Sequence, residues 1–146
     1  MNSKKPLLIE NQICFPLYAA SRMLIQNYHE PLSAIGLTYP QYLVMLVLWE
    51  EDGLAVNSIG KKLHLDSGTL TPLLKRMESA SLIKRVRSDV DERKVEIELT
   101  FQGKALKNKA ESIPDKVRVT LNSMDTESLD SLKSKLHQLL DTLNQS

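Results

Sequence analysis

The first patterned stretch of the chain, residues 8–30, repeats apolar side chains at helical spacing. Ile9, Ile13, Leu17, Leu24, Ile25 and Tyr28 stand among Gln12, Arg22, Gln26 and Asn27, which predicts a long amphipathic helix. Pro16 interrupts the pattern; because proline costs a helix interior about 3 kcal/mol, the regular helix starts or bends there. Pro31 to Pro40, with two prolines and Gly36, reads as a connection with room for one short helical turn. Pro40 to Glu51 is nearly all apolar. Its length and its lack of turn signals favour a buried helix over a strand, a choice periodicity alone does not make.

Gly53 closes that element. Val56 to Leu63 then offers a short helix with Ile59 and Leu63 on one side, followed by the turn His64-Leu65-Asp66. Asp66 or Ser67 is placed to cap a second helix reaching Met77, with Leu70, Leu73, Leu74 and Met77 facing inward. Pro72 removes one bond to the carbonyl of Gly68 early in that helix. Two short helices joined by a tight turn are the outline of a helix-turn-helix. Lys84 to Arg87 next leads through the polar tip 88–92 into Lys94-Val95-Glu96-Ile97-Glu98-Leu99. Strict alternation there puts Val95, Ile97 and Leu99 on one face of a hairpin. Residues 54–99 therefore read as a winged helix.

Thr100 is placed to cap a helix that runs to a break at Pro114, and Asp125 to cap the last one, with Met124 and Leu129 at the spacing of a hydrophobic staple. Leu129, Leu132, Leu136, Leu139 and Leu143 then form a short a/d seam, one that packs either within one chain or between two. The expected fold is mainly α with a small β wing: a winged helix-turn-helix between N- and C-terminal helices, about 8–30 and 100–144. No internal repeat or low-complexity tract appears.

At 146 residues, with 42% hydrophobic and 25% charged side chains, one soluble globular domain over 1–146 is expected. The longest apolar run, Tyr42 to Trp49, falls far short of the ~20 residues of a membrane span. Lys4 and Lys5 precede only Leu7-Leu8-Ile9, too little for a signal-peptide core, so no membrane contact and a cytoplasmic location are expected. The one cysteine, Cys14, excludes a disulfide framework and a Cys-based zinc ribbon. Such usage suits a reducing compartment, and a lone thiol is also what a redox sensor keeps. His29, His64 and His137 show no ligand spacing, and neither a Gly-rich phosphate loop nor a nucleophile elbow is present. Hence no metal, cofactor or catalytic residue is expected.

Charge changes the picture. The chain carries net +1, yet Asn57 to Val95 holds nine basic residues against five acidic ones, while residues 1–56 and 96–146 are net −2 and −1. All the excess positive charge lies on the expected winged helix, the electrostatic footprint of a phosphate-binding surface.

Three segments, Asn11-Gln-Ile-Cys-Phe-Pro-Leu-Tyr18, Leu37-Thr-Tyr-Pro-Gln-Tyr42 and Leu65-Asp-Ser-Gly-Thr-Leu-Thr-Pro-Leu-Leu-Lys75, make the chain resemble the MarR-family regulators. Within that family it is most similar to the OhrR group, which senses organic hydroperoxides. The resemblance covers essentially the full chain. It implies a homodimeric winged-helix repressor of double-stranded operator DNA, whose N-terminal-helix cysteine is oxidised by a hydroperoxide so that the operator is released. Cys14 matches that cysteine. Tyr28 and Tyr39 match tyrosines that hydrogen-bond its thiolate from the partner subunit. Some relatives carry a second cysteine that forms an intersubunit disulfide; this chain has none and resembles the one-cysteine branch, in which a small thiol forming a mixed disulfide, or further oxidation, completes the switch.

Each candidate residue has a plainer reading beside the functional one. Free cysteines are usually small buried hydrophobes; near a helix N-terminus, however, the dipole favours the thiolate that attacks peroxides. Tyr18, one turn after Cys14 and on its face, joins Tyr28 and Tyr39 as a thiolate-stabilising candidate, although tyrosines more often pack at the edge of a core. Ser67, Thr69 and Thr71 with Lys75 and Arg76 are residue types that reach base edges and phosphates from a recognition helix; a plain amphipathic surface helix has the same outline. In the hairpin, Arg85, Arg87 and Lys94 are candidate phosphate contacts. Asp91-Glu-Arg93 matches the D-x-R element of MarR-family wings, which implies that Arg93 enters the minor groove and that Asp91 orients a neighbouring arginine.

Two other readings stay open. One is a regulator of the same fold that responds to a small apolar ligand, or acts as a broader redox or virulence regulator, with Cys14 not the trigger. The other is a helical module that binds protein and not nucleic acid.

Overall fold

The computed structural model describes residues 5–145, in two compact units, one running to Ile113 and one from Pro114 onward. The first helix begins later than its apolar pattern. Residues 9–11 form a single 3-10 turn, and α1 spans Cys14–Ser33. Pro16 thus sits in the first turn of α1, where its missing N–H has no intrahelical partner to lose. At the other end the expected connection is corrected: α1 continues through Pro31. It closes in a Schellman turn, with Leu37 N–H on Leu32 O (3.0 Å) and Gly36 N–H on Ser33 O (3.1 Å). Gly36 takes φ +76° there, the left-handed conformation such an ending requires.

Tyr39–Glu50 is a helix, α2, entered through a reciprocal capping box of Thr38 and Gln41. Tyr42, Val44, Met45, Val47 and Leu48 are buried on it, so it runs through the core of the first unit. Leu54–Ala55 then forms a two-residue strand, β1, which carries too few residues for any alternation to show. It pairs antiparallel with β3 (Val95–Leu99), and β3 with β2 (Ile83–Arg87), giving the order β1-β3-β2. One Asp52 Oδ1 accepts both Gly53 N–H (2.9 Å) and Leu99 N–H (2.8 Å), tying the exit of α2 to the end of the wing.

Between the strands lie α3 (Val56–Leu63) and α4 (Ser67–Ser79). Gly60 permits the tight turn between them, since a Cβ there would stand 2.8 Å from the carbonyl oxygen of Leu65. After the wing, Thr100 caps α5 (Phe101–Ala110) by accepting Gly103 N–H at 3.0 Å. The break expected at Pro114 lies earlier, at 111–112. Pro114 instead occupies the first turn of α6 (Ile113–Arg118), a position that proline's fixed φ suits.

In the second unit, Asp125 caps α7 (Thr126–Asn144) by accepting Ser128 N–H at 2.7 Å. No residue of α7 is buried. Its leucine seam stays open, with Leu129, Leu136 and Leu139 half-buried and Leu132 and Leu143 exposed.

Candidate functional site

Two groups of side chains stand out, one on the helix-turn-helix and wing, one on α1 and α2. The start of α4 is set by Asp66, whose carboxylate accepts Thr69 N–H at 2.8 Å. Hydrogen bonds from the backbone and side chain of Thr69 hold that carboxyl below the usual aspartate value. From this start, Leu70, Leu73, Leu74 and Met77 turn into the core. Ser67, half-buried Thr71 and Lys75 form one row at four-residue spacing, and exposed Thr69 and Arg76 a second row. The turn before α4 holds His64 at φ 55°, and Leu65 N–H closes it onto Gly60 O at 2.9 Å.

The wing tip is built by a residue with no obvious sequence signal. Ser88 is buried, and its hydroxyl oxygen accepts Val90 N–H (3.3 Å) and Asp91 N–H (3.4 Å). Its own amide bonds Lys94 O at 2.9 Å. This folded tip points Asp91 at Arg93: the Asp91 carboxylate accepts both the backbone N–H (3.1 Å) and Nε–H (3.3 Å) of Arg93. The Arg93 side chain is nevertheless 92% exposed, so its outer edge faces solvent while its base is held. Arg85, Arg87 and Lys94 are exposed around it.

At the other group, Cys14 is the first residue of α1 and is exposed. Tyr18, one turn on, is 67% exposed. Tyr28 and Tyr39 pack ring against ring at 4.9 Å between centroids, and Tyr42 lies 5.9 and 6.3 Å from them. Trp49 extends the cluster at 6.4 Å from Tyr42 and donates its indole N–H to Gly103 O at 2.9 Å. Burial pushes the pKa of all three tyrosines up, and for Tyr39 and Tyr42 the neighbouring tyrosines add to it. Their hydroxyls are thus protonated donors at neutral pH. Among the described residues, Tyr28 and Tyr39 have no hydrogen-bond partner for those hydroxyls.

Cys14 and Tyr28 do not meet within one chain. They lie on the same helix, and fourteen residues at 1.5 Å rise separate them by about 21 Å. Of the sensing candidates only Tyr28 and Tyr39 are brought together. Tyr42 and Trp49, absent from the sequence-based candidates, complete their cluster; an aromatic on an all-apolar helix carries no signal beyond core packing.

The sequence profile of the transcriptional regulators SarA/Rot matches residues 26–110. The organic hydroperoxide resistance transcriptional regulator of Bacillus subtilis is 51% identical over 137 residues, covering 94% of this chain and 92% of that protein. The crystal structure of AbfR of Staphylococcus epidermidis superposes with a TM-score of 0.78 at 37% identity, over 98% of each chain. A structure of overoxidized AbfR bound to DNA matches with a TM-score of 0.76 at 38% identity, over 94% of this chain and 96% of that one.

Proposed function

The chain belongs to the MarR family of winged-helix, DNA-binding transcriptional regulators, and on that premise we propose that it is a homodimeric repressor which releases its operator when an organic hydroperoxide oxidises Cys14. The observation that carries this reading is the Tyr28–Tyr39 pair. It presents two protonated hydroxyls with no partner among the described residues, and Tyr28 stands about 21 Å along α1 from Cys14 of its own chain. A second copy, placed in C2 symmetry, is needed to lay a Cys14 against them.

Exposed apolar surface supports that copy. On α1 only Leu32 is buried, while Met23 is 59% exposed, as is Ile13 (70%) just before the helix. Taken by itself, α7 likewise leaves Leu132 and Leu143 open. The resemblance to a regulator named for organic hydroperoxide resistance supports the oxidant.

The chemistry is a two-electron oxidation. The Cys14 thiolate attacks the terminal peroxide oxygen, the O–O bond breaks, and the alkoxide leaves and takes a proton to become the alcohol. Sulfur is oxidised to a sulfenic acid. A small thiol then condenses with it, forming a mixed disulfide and water. Either product enlarges a sulfur held against tyrosine hydroxyls, and the dimer shifts between two arrangements of its reading heads. A hundredfold loss of operator affinity requires those arrangements to differ by about 2.7 kcal/mol in binding.

In the bound state the two α4 helices enter successive major grooves about 34–36 Å apart. Ser67, Thr69 and Thr71 face base edges while Lys75, Arg76, Arg85, Arg87 and Lys94 face phosphates. Arg93, steadied by Asp91, enters the minor groove. Operator binding before and after cumene hydroperoxide, in wild type and Cys14→Ser, tests the proposal. Loss of operator by the serine variant on peroxide addition discards the thiol trigger.

A second reading draws on a cavity of about 610 Å³ lined by Ile25, His29, Leu32, Leu37, Thr38 and Tyr39. An apolar effector seated there would release DNA without oxidation, and release by a non-oxidising apolar ligand in Cys14→Ser would favour it.

A further inference from the structure

We propose that Trp49 is the residue through which the Tyr28–Tyr39 pair acts on the recognition helix. The tyrosines move its ring, and its indole N–H passes that movement to α5 and to the turn that closes α4. This coupling rests on the reading of Cys14 as the peroxide trigger and supplies the route from sulfur to DNA.

Tyr39, Tyr42 and Trp49 stand at positions i, i+3 and i+10 of α2, one stripe of the helix about 15 Å long. Rings meet along its whole length. Tyr28 lies 4.9 Å from Tyr39 between centroids, and Tyr42, which is 4% exposed, lies 5.9 Å from Tyr28, 6.3 Å from Tyr39 and 6.4 Å from Trp49.

At Trp49 the stripe leaves α2. The indole has one donor, and it bonds Gly103 O at 2.9 Å. Gly103 is buried and has no side chain to absorb a push. Its Cα lies so close to the carbonyl of Leu82 that a Cβ would collide with it. That carbonyl also accepts the backbone N–H and the hydroxyl of Thr100, both at 3.1 Å. Leu82 N–H in turn bonds the carbonyl of Met77, in the last turn of α4, at 3.1 Å. Each link from Tyr28 to Met77 is therefore a direct contact or a hydrogen bond.

Close-packed interiors transmit strain and switch between discrete arrangements instead of deforming smoothly. An enlarged sulfur at the tyrosine hydroxyls pushes on rings already in contact. Turning Trp49 alone would leave a half-buried N–H without an acceptor, which is unfavourable, so the ring and the Gly103 carbonyl move together. An aromatic ring without the N–H would fill the same space and have no hold on α5. That difference separates coupling from packing.

The test compares full-length wild type, Trp49→Phe and Cys14→Ser, reduced and after cumene hydroperoxide. Intact mass follows oxidation of Cys14, and affinity is measured for a duplex enriched from a random pool by binding selection. Trp49→Phe should be oxidised at the wild-type rate, yet its ratio of reduced to oxidised affinity should be about tenfold smaller than that of wild type. A Trp49 that only packs would lower both affinities together and leave the ratio unchanged, which overturns the coupling. Slower oxidation of Trp49→Phe followed by full release also overturns it, because Trp49 then only supports the tyrosines.

Wild type provides a second readout. The chain holds one tryptophan, so its indole N–H gives a single NMR resonance. Peroxide should move that resonance in wild type and leave it in place in Cys14→Ser. A resonance that stays put while wild type releases the duplex overturns the coupling, whether or not Trp49→Phe folds, and leaves the thiol trigger standing. Release of the duplex by Cys14→Ser on peroxide addition removes the trigger itself, and the coupling with it.

Discussion

The rings of Tyr28, on α1, and Tyr39, at the start of α2, lie 4.9 Å apart, and burial keeps both hydroxyls protonated. Two donors are thereby fixed side by side, and under the proposed function a sulfur anion from a second copy would gain a pair of charge-assisted bonds there. A hydrogen bond to a charged group contributes about 1.5–3 kcal/mol. Replacing either tyrosine by Phe should slow sulfenic acid formation by roughly 10- to 100-fold, with operator affinity of the reduced protein nearly unchanged. Stopped-flow reaction with cumene hydroperoxide measures this, and unaltered rates in both variants would remove the tyrosines from the sensing role.

The same cluster makes stability depend on pH in the alkaline range. Tyr28, Tyr39 and Tyr42 have folded pKa values above 10.0 because burial disfavours the phenolate. A raised folded pKa gives a contribution that is complete below pH 10 and disappears as pH climbs through the elevated values. Melting temperature should therefore fall above pH 10, together with the rise of phenolate absorbance, and Tyr42→Phe should soften that fall. Asp66 and Asp125 act at the other extreme. Their lowered carboxyl pKa values mean that the capping of α4 and α7 is in place above 3.8 and is lost as pH drops below it.

Arg93→Ala removes the side chain proposed to enter the minor groove and should weaken operator binding about tenfold, with the oligomeric state unchanged by sedimentation. Asp91→Ala removes only the carboxylate that steadies Arg93. It should cost less affinity than Arg93→Ala, since the arginine itself remains.

Packing of α5 against the turn between α4 and β2 leaves no room at Gly103, where a Cβ would collide with the carbonyl oxygen of Leu82. Overpacking of this kind costs about 1–3 kcal/mol, and Gly103→Ala should lose that much in urea unfolding.

At the turn after α4 the opposite change is favourable. Ser81 holds φ 61°, and left-handed backbone costs a side-chain-bearing residue about 1–2 kcal/mol. Glycine's greater freedom when unfolded offsets part of that gain, so Ser81→Gly should raise stability by roughly 0.5–1 kcal/mol. An unchanged urea midpoint would show that the turn carries no strain.

The winged helix was written locally. Asp66 and Thr100 cap α4 and α5, Leu70 to Met77 repeat at helical spacing, and Val95 to Leu99 alternate; each of these is a contact or a period between residues a few positions apart, which a linear reading captures. The apolar stretch of α2 also declared itself, by its length and its lack of turn signals; the Thr38–Gln41 box at its start showed only in the folded chain. Prolines misled at Pro31 and Pro114: Pro114 falls in a first turn, where the amide it deletes has no intrahelical partner, whereas α1 runs through Pro31 to its closing turn despite the bond to the i−4 carbonyl that Pro31 deletes. β1 is two residues long, and only its partner β3, some forty positions away, makes it a strand. Asp52 as the tie to Leu99 and the Tyr28–Tyr39–Tyr42 cluster depend on segments far apart in the chain. Their energies come from distances and burial that no spacing along one strand of residues encodes, so they exist only once the chain has packed.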